Sequence, residues 1–313
     1  MCCAAEPRPG RLKRLNDSHL SPVRRVKLNL SAPAKVNLGL EVTGRRPDGY
    51  HKLRSILVNV DVVDLLVIEP GQGTILSGDG LPGESIRPER ELATLALRAL
   101  EAAAGRGLGV GLRVCKQIPL GAGLGGGSAD AAAVLRAAPS LGVELRPGHL
   151  QELALDLGAD VPFQLVGGAA VVGGIGEMVE PLPYREIWLA LAFGRLHLGT
   201  AAVFEELRPD EWTNGAAVEA AAELWRHSSP HLMEALDDLP NTLWAAAGRR
   251  QPGLITDQAA ALTESGWRPR LTGSGSAMFQ ICADAAEARR LALSGATAGF
   301  MTWACRTVPS PGV

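Results

Sequence analysis

The residue types that could carry chemistry gather first in the glycine-rich segment PLGAGLGGGSADAA, at positions 119–132. Glycine occupies five of the seven positions from 121 to 127, namely Gly121, Gly123, Gly125, Gly126 and Gly127. Because glycine loses more conformational entropy on folding than any other residue, such a cluster indicates backbone that adopts positive φ or lies very close to another group. A helix pattern follows directly, and the free N–H groups and dipole of a helix N-terminus attract anions. The segment therefore predicts an exposed phosphate-binding loop in preference to a merely tight turn.

Two common kinds of phosphate loop fit this segment poorly. Gly121, Gly123 and Gly126 satisfy the dinucleotide pattern GxGxxG, but the loop lies in mid-chain without the parallel βαβ unit that this pattern requires. A Walker A loop needs a lysine before its Ser or Thr, and here Gly127 precedes Ser128. A positive charge for the phosphates must therefore come from elsewhere in the chain. Ser128 could contact a phosphate oxygen or Mg²⁺, or could simply cap the helix.

Lys35 and Asp160 are further candidates, and each has an ordinary structural alternative. In KVNLGLEV, residues 35–42, Lys35 and Asn37 share the polar face of an alternating strand. A lysine on such a face is usually solvated. Asp160, in GADVPF, could accept a proton from a reacting hydroxyl, or could cap a short helix opened by Pro162. The residues alone leave both alternatives open.

Hydrophobic periodicity places the elements that would position these residues. The alternating pattern over 26–42 is followed by the turn RRPDGYH and a second strand, LRSILVNVDVVDLLVIEP. ERELATLALRALEAAAG predicts a helix ending at Gly105, and PGHLQELALDLG one ending at Gly158. Ser128 is the expected N-cap of the helix after the glycine loop, with Asp130 in its first turn. Later strands are expected at RPRLTGSGSAMFQICA and GFMTWACRTV. Strands and helices mix without a regular βαβ repeat, which predicts an α+β fold.

Composition excludes several classes of function. The 313-residue chain is 46% hydrophobic and 20% charged with a formal net charge of −2, so neither nucleic acid nor an anionic membrane is an expected partner. No apolar run approaches the length of a membrane span, and the motifs HExxH and GxSxG are absent. Five cysteines without metal-ligand spacing predict free thiols in a reducing cytoplasm. Residues 1–25 are basic but lack the apolar run of a secretory signal, which favours a flexible leader.

Four stretches together resemble a known family. PLGAGLGGGSADAA is very similar to the phosphate loop of the GHMP kinases, the superfamily of galactokinase and of homoserine, mevalonate and phosphomevalonate kinases. PAKVNLGLEVTGRRPDGYH, LGADVPFQLVGGAAVVGGIGE and LTGSGSAMF resemble motifs of one branch, the 4-diphosphocytidyl-2-C-methyl-D-erythritol kinases. The matches are in order over about 26–308. They imply the two-domain α+β GHMP fold, with a domain like the second domain of ribosomal protein S5 at 26–180, a ferredoxin-like domain at 181–308 and a tail at 309–313.

The resemblance also implies a reaction and its partners. Such kinases transfer the γ-phosphate of ATP, with Mg²⁺, to the 2-hydroxyl of 4-diphosphocytidyl-2-C-methyl-D-erythritol in the non-mevalonate route to isoprenoid precursors. The implied partner is this small molecule, bound by a cytoplasmic monomer or weak homodimer that contacts neither nucleic acid nor membrane. The active site would lie between the two domains.

Individual residues take roles from the same resemblance. Asp160 would accept the proton of the attacking hydroxyl or orient it, and Lys35 would stabilise the transition state and keep Asp160 ionised. ATP would be bound by Lys116, Pro119, Leu120, Gly121, Ala122, Gly123, Leu124, Gly125, Gly126, Gly127, Ser128 and Ala129, with Ser128 also a ligand of Mg²⁺. Substrate would be bound by Asn37, Tyr50, His51, Thr200, Phe204, Gly273, Ser274 and Gly275, with cytosine stacked on the two aromatic rings. PNTLW at 240–244 matches the family only in part, so Asn241 receives no role.

Rival interpretations remain open from the sequence. A different GHMP kinase, acting on a small alcohol without cytidine, would share the glycine loop but would not need Tyr50, His51 and Phe204 together. For these residues the ordinary alternatives are a surface histidine and a core phenylalanine on a helix. A catalytically silent nucleotide-binding module would not need both Lys35 and Asp160.

Overall fold

The computed structural model describes residues 27–77, 90–194 and 197–310. The predicted leader and positions 311–313 of the predicted tail lie outside these ranges. The strands are β1 (Leu28–Arg45), β2 (His51–Pro70), β3 (Thr74–Ser77), β4 (Val110–Cys115), β5 (Ala169–Gly174), β6 (Met178–Leu182), β7 (Trp188–Phe193), β8 (Arg270–Leu271), β9 (Met278–Cys282) and β10 (Met301–Arg306). The helices are α1 (Leu92–Ala104), α2 (Gly126–Arg136), α3 (His149–Leu157), α4 (Val161–Val166), α5 (Thr200–Glu205), α6 (Ala216–Arg226), α7 (Leu232–Asp237), α8 (Leu243–Arg250), α9 (Leu254–Glu264) and α10 (Ala285–Thr297). None of these helices is long and apolar enough to cross a membrane.

A long hairpin of β1 and β2 organises the first sheet. β2 pairs antiparallel with β1, and its other edge pairs with β5 near its start and with β4 near its end. β3 lies parallel to β4, and β6 antiparallel to β5. Residues 34–42 of β1 are buried on both faces. The polar face is not solvated, because Leu239 and Thr272 of the C-terminal half lie directly against it.

Helices α1 and α3 begin and end for local reasons. The carboxylate of Glu91 accepts hydrogen bonds from the first backbone N–H groups of α1, which is the usual work of an N-cap. Gly105 ends α1 in the left-handed conformation with φ 64°, and Gly158 follows the last residue of α3. Both predicted helix ends are confirmed.

Helix α2 follows the glycine loop and is buried in the core. It begins at Gly126, with Gly125 as N-cap at φ 67°, so the prediction that Ser128 is the N-cap is wrong. The left-handed turn at Gly125 starts the helix earlier, and Ser128 lies in its first turn. Four of the eleven residues of α2 are buried alanines, whose small side chains let the helix pack closely against α1 and β1 in one core cluster.

The C-terminal half forms a second antiparallel sheet in the order β10-β7-β9-β8. Helix α10 packs on β7 and β10, and the core between them contains Trp267 and Leu291. Backbone hydrogen bonds join the C-terminal half to the first sheet, from Leu40 to Pro240 and from Val308 to Asn59. The predicted domain boundary between 180 and 181 falls inside β6, which pairs with β5 of the first sheet.

Candidate active site

A cavity of about 1120 Å³ opens between the glycine loop and the C-terminal half. It is bordered by β1, the turn after β1, the start of α4, helix α5 and the loop after β8. Most of the predicted site residues line it: Lys35, Asn37, Tyr50, His51, residues 119–128, Asp160, Thr200, Phe204, Gly273 and Ser274. Lys116, Ala129 and Gly275 are outside its lining. Residues from six separate segments of the chain therefore meet around one space.

Lys35 and Asp160 form an ion pair in the lining of this cavity. The Lys35 side chain is only 6% exposed, and its Nζ lies 3.5 Å from Oδ2 of Asp160. Lys35 is therefore not the solvated lysine of an edge strand. Asp160 occupies the N-cap position of α4, but its carboxylate makes no capping hydrogen bond and is 39% exposed. A carboxylate that is held near an ammonium and open to a cavity is free to accept a proton from a bound hydroxyl.

Asn37 fixes the position of the Lys35 ammonium. Its Oδ1 accepts a hydrogen bond of 2.6 Å from Lys35 Nζ. Its Nδ2 donates to Oγ of Ser55 at 2.8 Å, and that hydroxyl donates in turn to the carbonyl of Gly39. The backbone N–H of Asn37 donates to Oγ1 of Thr272 in the other half of the chain. All groups are buried, so the chain of hydrogen bonds sets one orientation for the amide. Ser55 and Thr272 were not predicted.

Each glycine of the loop has a particular neighbour. A Cβ on Gly123, which has φ 81°, would lie 2.7 Å from the carbonyl oxygen of Thr272. A Cβ on Gly125 would lie 2.8 Å from Cγ of Lys35, and one on Gly126 would lie 2.9 Å from a methyl of Ile118. The positive φ is as predicted, but the loop is half-buried, so the expectation of an exposed loop is wrong. Its glycines let the backbone pack tightly against the neighbouring protein groups.

A second glycine segment, at 273–275, closes the cavity from the C-terminal half. Oγ of Ser274 lies 3.1 Å from the hydroxyl of Thr200 at the start of α5. Nδ2 of Asn241 donates to the carbonyls of Leu271 and Gly273 at 2.8 and 2.9 Å, which holds the segment in place. Asn241 therefore positions the predicted substrate loop, although no role was assigned to it.

Aromatic rings form the far end of the cavity. The rings of His51 and Phe204 are 5.3 Å apart, and Trp212 stands edge-on to His51 at 6.3 Å. Tyr50 is 62% exposed at the rim. Phe204 lines the cavity and also packs on the C-terminal core, so it can be both a cavity wall and a core residue. Burial, aided by the charge of Arg45, lowers the pKa of His51, which favours the neutral imidazole. Trp212 was missed because its position is set by a loop with no motif.

Comparisons with known proteins agree with this architecture. Residues 91–168 match the family model described as GHMP kinases N terminal domain. The 4-diphosphocytidyl-2-C-methyl-D-erythritol kinase of Xanthomonas euvesicatoria pv. vesicatoria is 40% identical over 276 residues, which cover 87% of this chain and 88% of that protein. The chain belongs to this kinase family. The same-named enzyme of Chromobacterium violaceum is 35% identical over 79% of this chain and 84% of its own.

Solved structures place the fold in the same family. A crystal structure of 4-(cytidine 5'-diphospho)-2C-methyl-D-erythritol kinase, 34% identical, superposes with a TM-score of 0.73 and covers 91% of this chain and all of its own. Homoserine kinase from Cytophaga hutchinsonii, at 17% identity, superposes with a TM-score of 0.64 over 91% of this chain and 95% of that one. The predicted α+β GHMP kinase fold is thus confirmed.

For a member of this kinase family, Lys116 lies in an unexpected place. It was predicted to contact ATP, but its side chain is 1% exposed and outside the cavity lining. Its ammonium pairs with the buried carboxylates of Asp64, at 2.6 Å, and Asp130. Two carboxylates on the inner side of the glycine loop hold the ammonium there, away from the space where ATP would bind.

The cavity offers only a few protein oxygens that could bind Mg²⁺. Within the described ranges no group of three or more His, Cys, Asp or Glu side chains is placed to hold a metal ion. Mg²⁺ in phosphoryl-transfer sites is bound mainly by substrate phosphates and water, with one or two protein oxygens. The Ser128 hydroxyl and the Asp160 carboxylate both line the cavity and are oxygens of the required kind.

Proposed function

We propose that this protein transfers the γ-phosphate of ATP to the 2-hydroxyl of 4-diphosphocytidyl-2-C-methyl-D-erythritol, a step in the synthesis of isoprenoid precursors by the non-mevalonate route. The observation that carries the proposal is the pairing of Lys35 with Asp160 in one cavity with the glycine loop. The names of the relatives over most of the chain support the same substrate.

The glycine loop and the start of α2 would bind the ATP phosphates. The first backbone N–H groups of α2, beginning at Gly126, have no partner inside the helix. Together with the helix dipole they favour the phosphate charge. Mg²⁺, when bound with ATP, would neutralise charge on the phosphates, and Ser128 is the residue proposed to contact it.

Asp160 and Lys35 would act on the reacting groups. The Asp160 carboxylate is the proposed acceptor of the 2-hydroxyl proton, or the group that orients this hydroxyl toward the γ-phosphate. Lys35 Nζ lies 3.5 Å from that carboxylate and donates to Asn37. Its remaining N–H donor capacity can meet the negative charge that develops on the transferred group.

The aromatic end of the cavity would take the cytosine base. Tyr50 and Phe204 are the proposed stacking partners, and His51 the hydrogen-bonding one. The neutral imidazole favoured by its lowered pKa keeps one nitrogen as an acceptor and one as a donor. The hydroxyls of Thr200 and Ser274 and the amide of Asn37 line the same cavity and are the proposed contacts of the erythritol. A cytoplasmic location and a monomeric or weakly dimeric state remain predictions.

A product assay tests this function. Purified protein with ATP and Mg²⁺ is expected to release ADP only when the cytidyl alcohol is present, and ³¹P NMR should show one new phosphomonoester on the 2-hydroxyl. ADP release that does not depend on the alcohol, or a phosphate on another oxygen, would contradict the proposal. Asp160→Asn serves as the matched inactive control.

A further inference from the structure

A cluster of buried charges lies directly behind the glycine loop and is not used by the proposed chemistry. Lys116 pairs with Asp64 and Asp130, and all three side chains are 1% exposed or less. Glu91, also buried, is close enough to contribute to the same electrostatic field. One ammonium is thus paired with two carboxyl groups and lies in the electrostatic field of a third. Burial raises the pKa of Asp130 well above its usual range and also raises that of Glu91, since their charged forms are poorly compensated.

The cluster joins both ends of the loop to the sheet. Lys116 follows β4 and precedes the loop, whereas Asp130 lies on α2, which leaves it. Asp64, on β2, accepts hydrogen bonds through Oδ1 from the backbone N–H groups of Gln117 and Ile118 at 2.5 and 2.8 Å. The ammonium and the Asp64 carboxylate therefore hold the two ends of the loop at a fixed separation.

The same carboxylate lies close behind the start of α2. A Cβ built on Gly126, the first residue of that helix, would be 3.3 Å from Oδ2 of Asp64. Gly126 also lines the cavity on its other side. Without a counter-charge, the carboxylates of Asp64 and Asp130 would repel phosphate across a single layer of backbone, because buried charges are weakly screened.

We infer that Lys116 is a positioning residue of the phosphate loop: it fixes the loop ends and shields bound ATP from Asp64 and Asp130, without touching ATP. The inference rests on the proposed kinase function. ATP affinity then depends on the charge balance of the buried cluster, and a change at any of its members acts on ATP without contact, through the position of the loop and through the electrostatic field behind it.

Equilibrium binding of ATP to full-length variants separates this role from direct contact. Asp130→Asn keeps the Lys116 ammonium but weakens its pairing, so we expect the Kd of ATP to change by several-fold although Asp130 is wholly buried. Lys116→Met should raise the Kd by about tenfold or more, since it leaves uncompensated carboxylates behind the loop. In the double variant Lys116→Met with Asp130→Asn the excess charge is reduced, and affinity should recover toward that of the wild type.

The opposite results would overturn the inference. If Lys116 contacts ATP directly, Asp130→Asn should leave the Kd unchanged and the double variant should bind as weakly as Lys116→Met. Should Lys116→Met fail to fold, the Asp130→Asn result decides alone. Arg113→Met is the matched control, because Arg113 lies on β4 just before Lys116 in an exposed ion pair with Glu69 and should not alter the Kd. The KM of the cytidyl substrate should stay constant throughout, which general unfolding would not allow. Wild-type turnover is measured separately, so failure of the proposed function is distinguishable.

Discussion

The two sides of the glycine loop each hold a buried lysine, and their surroundings differ. On the cavity side, Lys35 has a neutral amide oxygen at 2.6 Å and one half-open carboxylate, Asp160, at 3.5 Å. On the inner side, Lys116 is enclosed by Asp64 and Asp130, whose side chains are fully buried. Lys35 can therefore still donate hydrogen bonds and offer its charge to an incoming group. The charge of Lys116 is instead neutralised by buried carboxylates inside the protein.

This difference shows that a lysine near a phosphate loop does not have to act on the substrates. Both lysines were assigned to the active site from motif positions. What separates them is whether their partners leave the ammonium facing a cavity. The cavity side is built for chemistry, and the inner side fixes the shape of the loop that the chemistry needs.

Removing the carboxylate on the cavity side should have the largest effect. Asp160→Asn keeps the size of the side chain but removes the proton acceptor, and kcat should fall by roughly 10²–10⁴. The Kd of ATP should stay close to the wild-type value, because Asp160 makes no capping bond that the fold requires. Steady-state kinetics and calorimetry check the two quantities. A near-normal kcat would mean that Asp160 is only a residue at the start of α4.

A methyl group between the two glycine segments should have the next largest effect. Gly123→Ala combines φ 81° with a contact of 2.7 Å to the Thr272 carbonyl, so the free energy of unfolding should drop by roughly 1–3 kcal/mol. The two glycine segments should also separate and ATP should bind less tightly. Gly127→Ala is the control, because a Cβ there meets only Leu92 at 3.5 Å and the residue is helical. Equal Tm values for both variants would show that the tight packing is not required.

Truncating the aromatic end of the cavity should affect only one substrate. Tyr50→Ala removes a ring that is 62% exposed, so the fold should be unharmed. Loss of stacking, of roughly 1–3 kcal/mol, should raise the KM of the cytidyl substrate and leave that of ATP nearly unchanged. Phe204→Ala should do the same with some added loss of stability, since Phe204 also packs on the core. A parallel rise in the KM of ATP would place the nucleotide, not the cytidyl group, against these rings.

The smallest expected effect is a pH dependence of substrate binding that comes from His51. Burial and the charge of Arg45 lower the pKa of His51 below the ordinary 6.5, so the imidazole is neutral at pH 7 and becomes charged only as the pH falls through this lowered pKa. Binding of the cytidyl substrate should weaken in that acid range by a few-fold, as the acceptor nitrogen is lost. His51→Gln should bind with a flatter profile by calorimetry. An unchanged profile in this variant would assign the pH dependence to another group.

Local signals in the sequence predicted much of the fold and part of the site. The glycine cluster, the helix ends at Gly105 and Gly158 and the α+β class follow from backbone preferences and periodicity, which act over a few residues. The prediction that Lys35 and Asp160 lie in one site came from the resemblance to known kinases. Their spacing along the chain does not indicate it.

The unpredicted features depend on contacts between distant segments. Thr272 and Asn241 act on β1 and on the second glycine segment from the C-terminal half, and no local pattern marks them. The burial of Lys116 depends on Asp64, more than fifty positions away along the chain. The alternation in β1 indicated a solvated face, because a strand pattern does not reveal which element will cover it.

The most direct test compares kcat/KM for two acceptors at saturating ATP. One is 4-diphosphocytidyl-2-C-methyl-D-erythritol, and the other is 2-C-methyl-D-erythritol 4-phosphate, which lacks the cytidyl group. If the cavity holds a cytosine between Tyr50 and Phe204 while Asp160 acts on the 2-hydroxyl, the cytidyl compound should be preferred by at least about fivefold, which corresponds to the weakest expected stacking of roughly 1 kcal/mol. Equal kcat/KM values for the two compounds would contradict the assignment of the aromatic end to cytosine, and with it this kinase reaction.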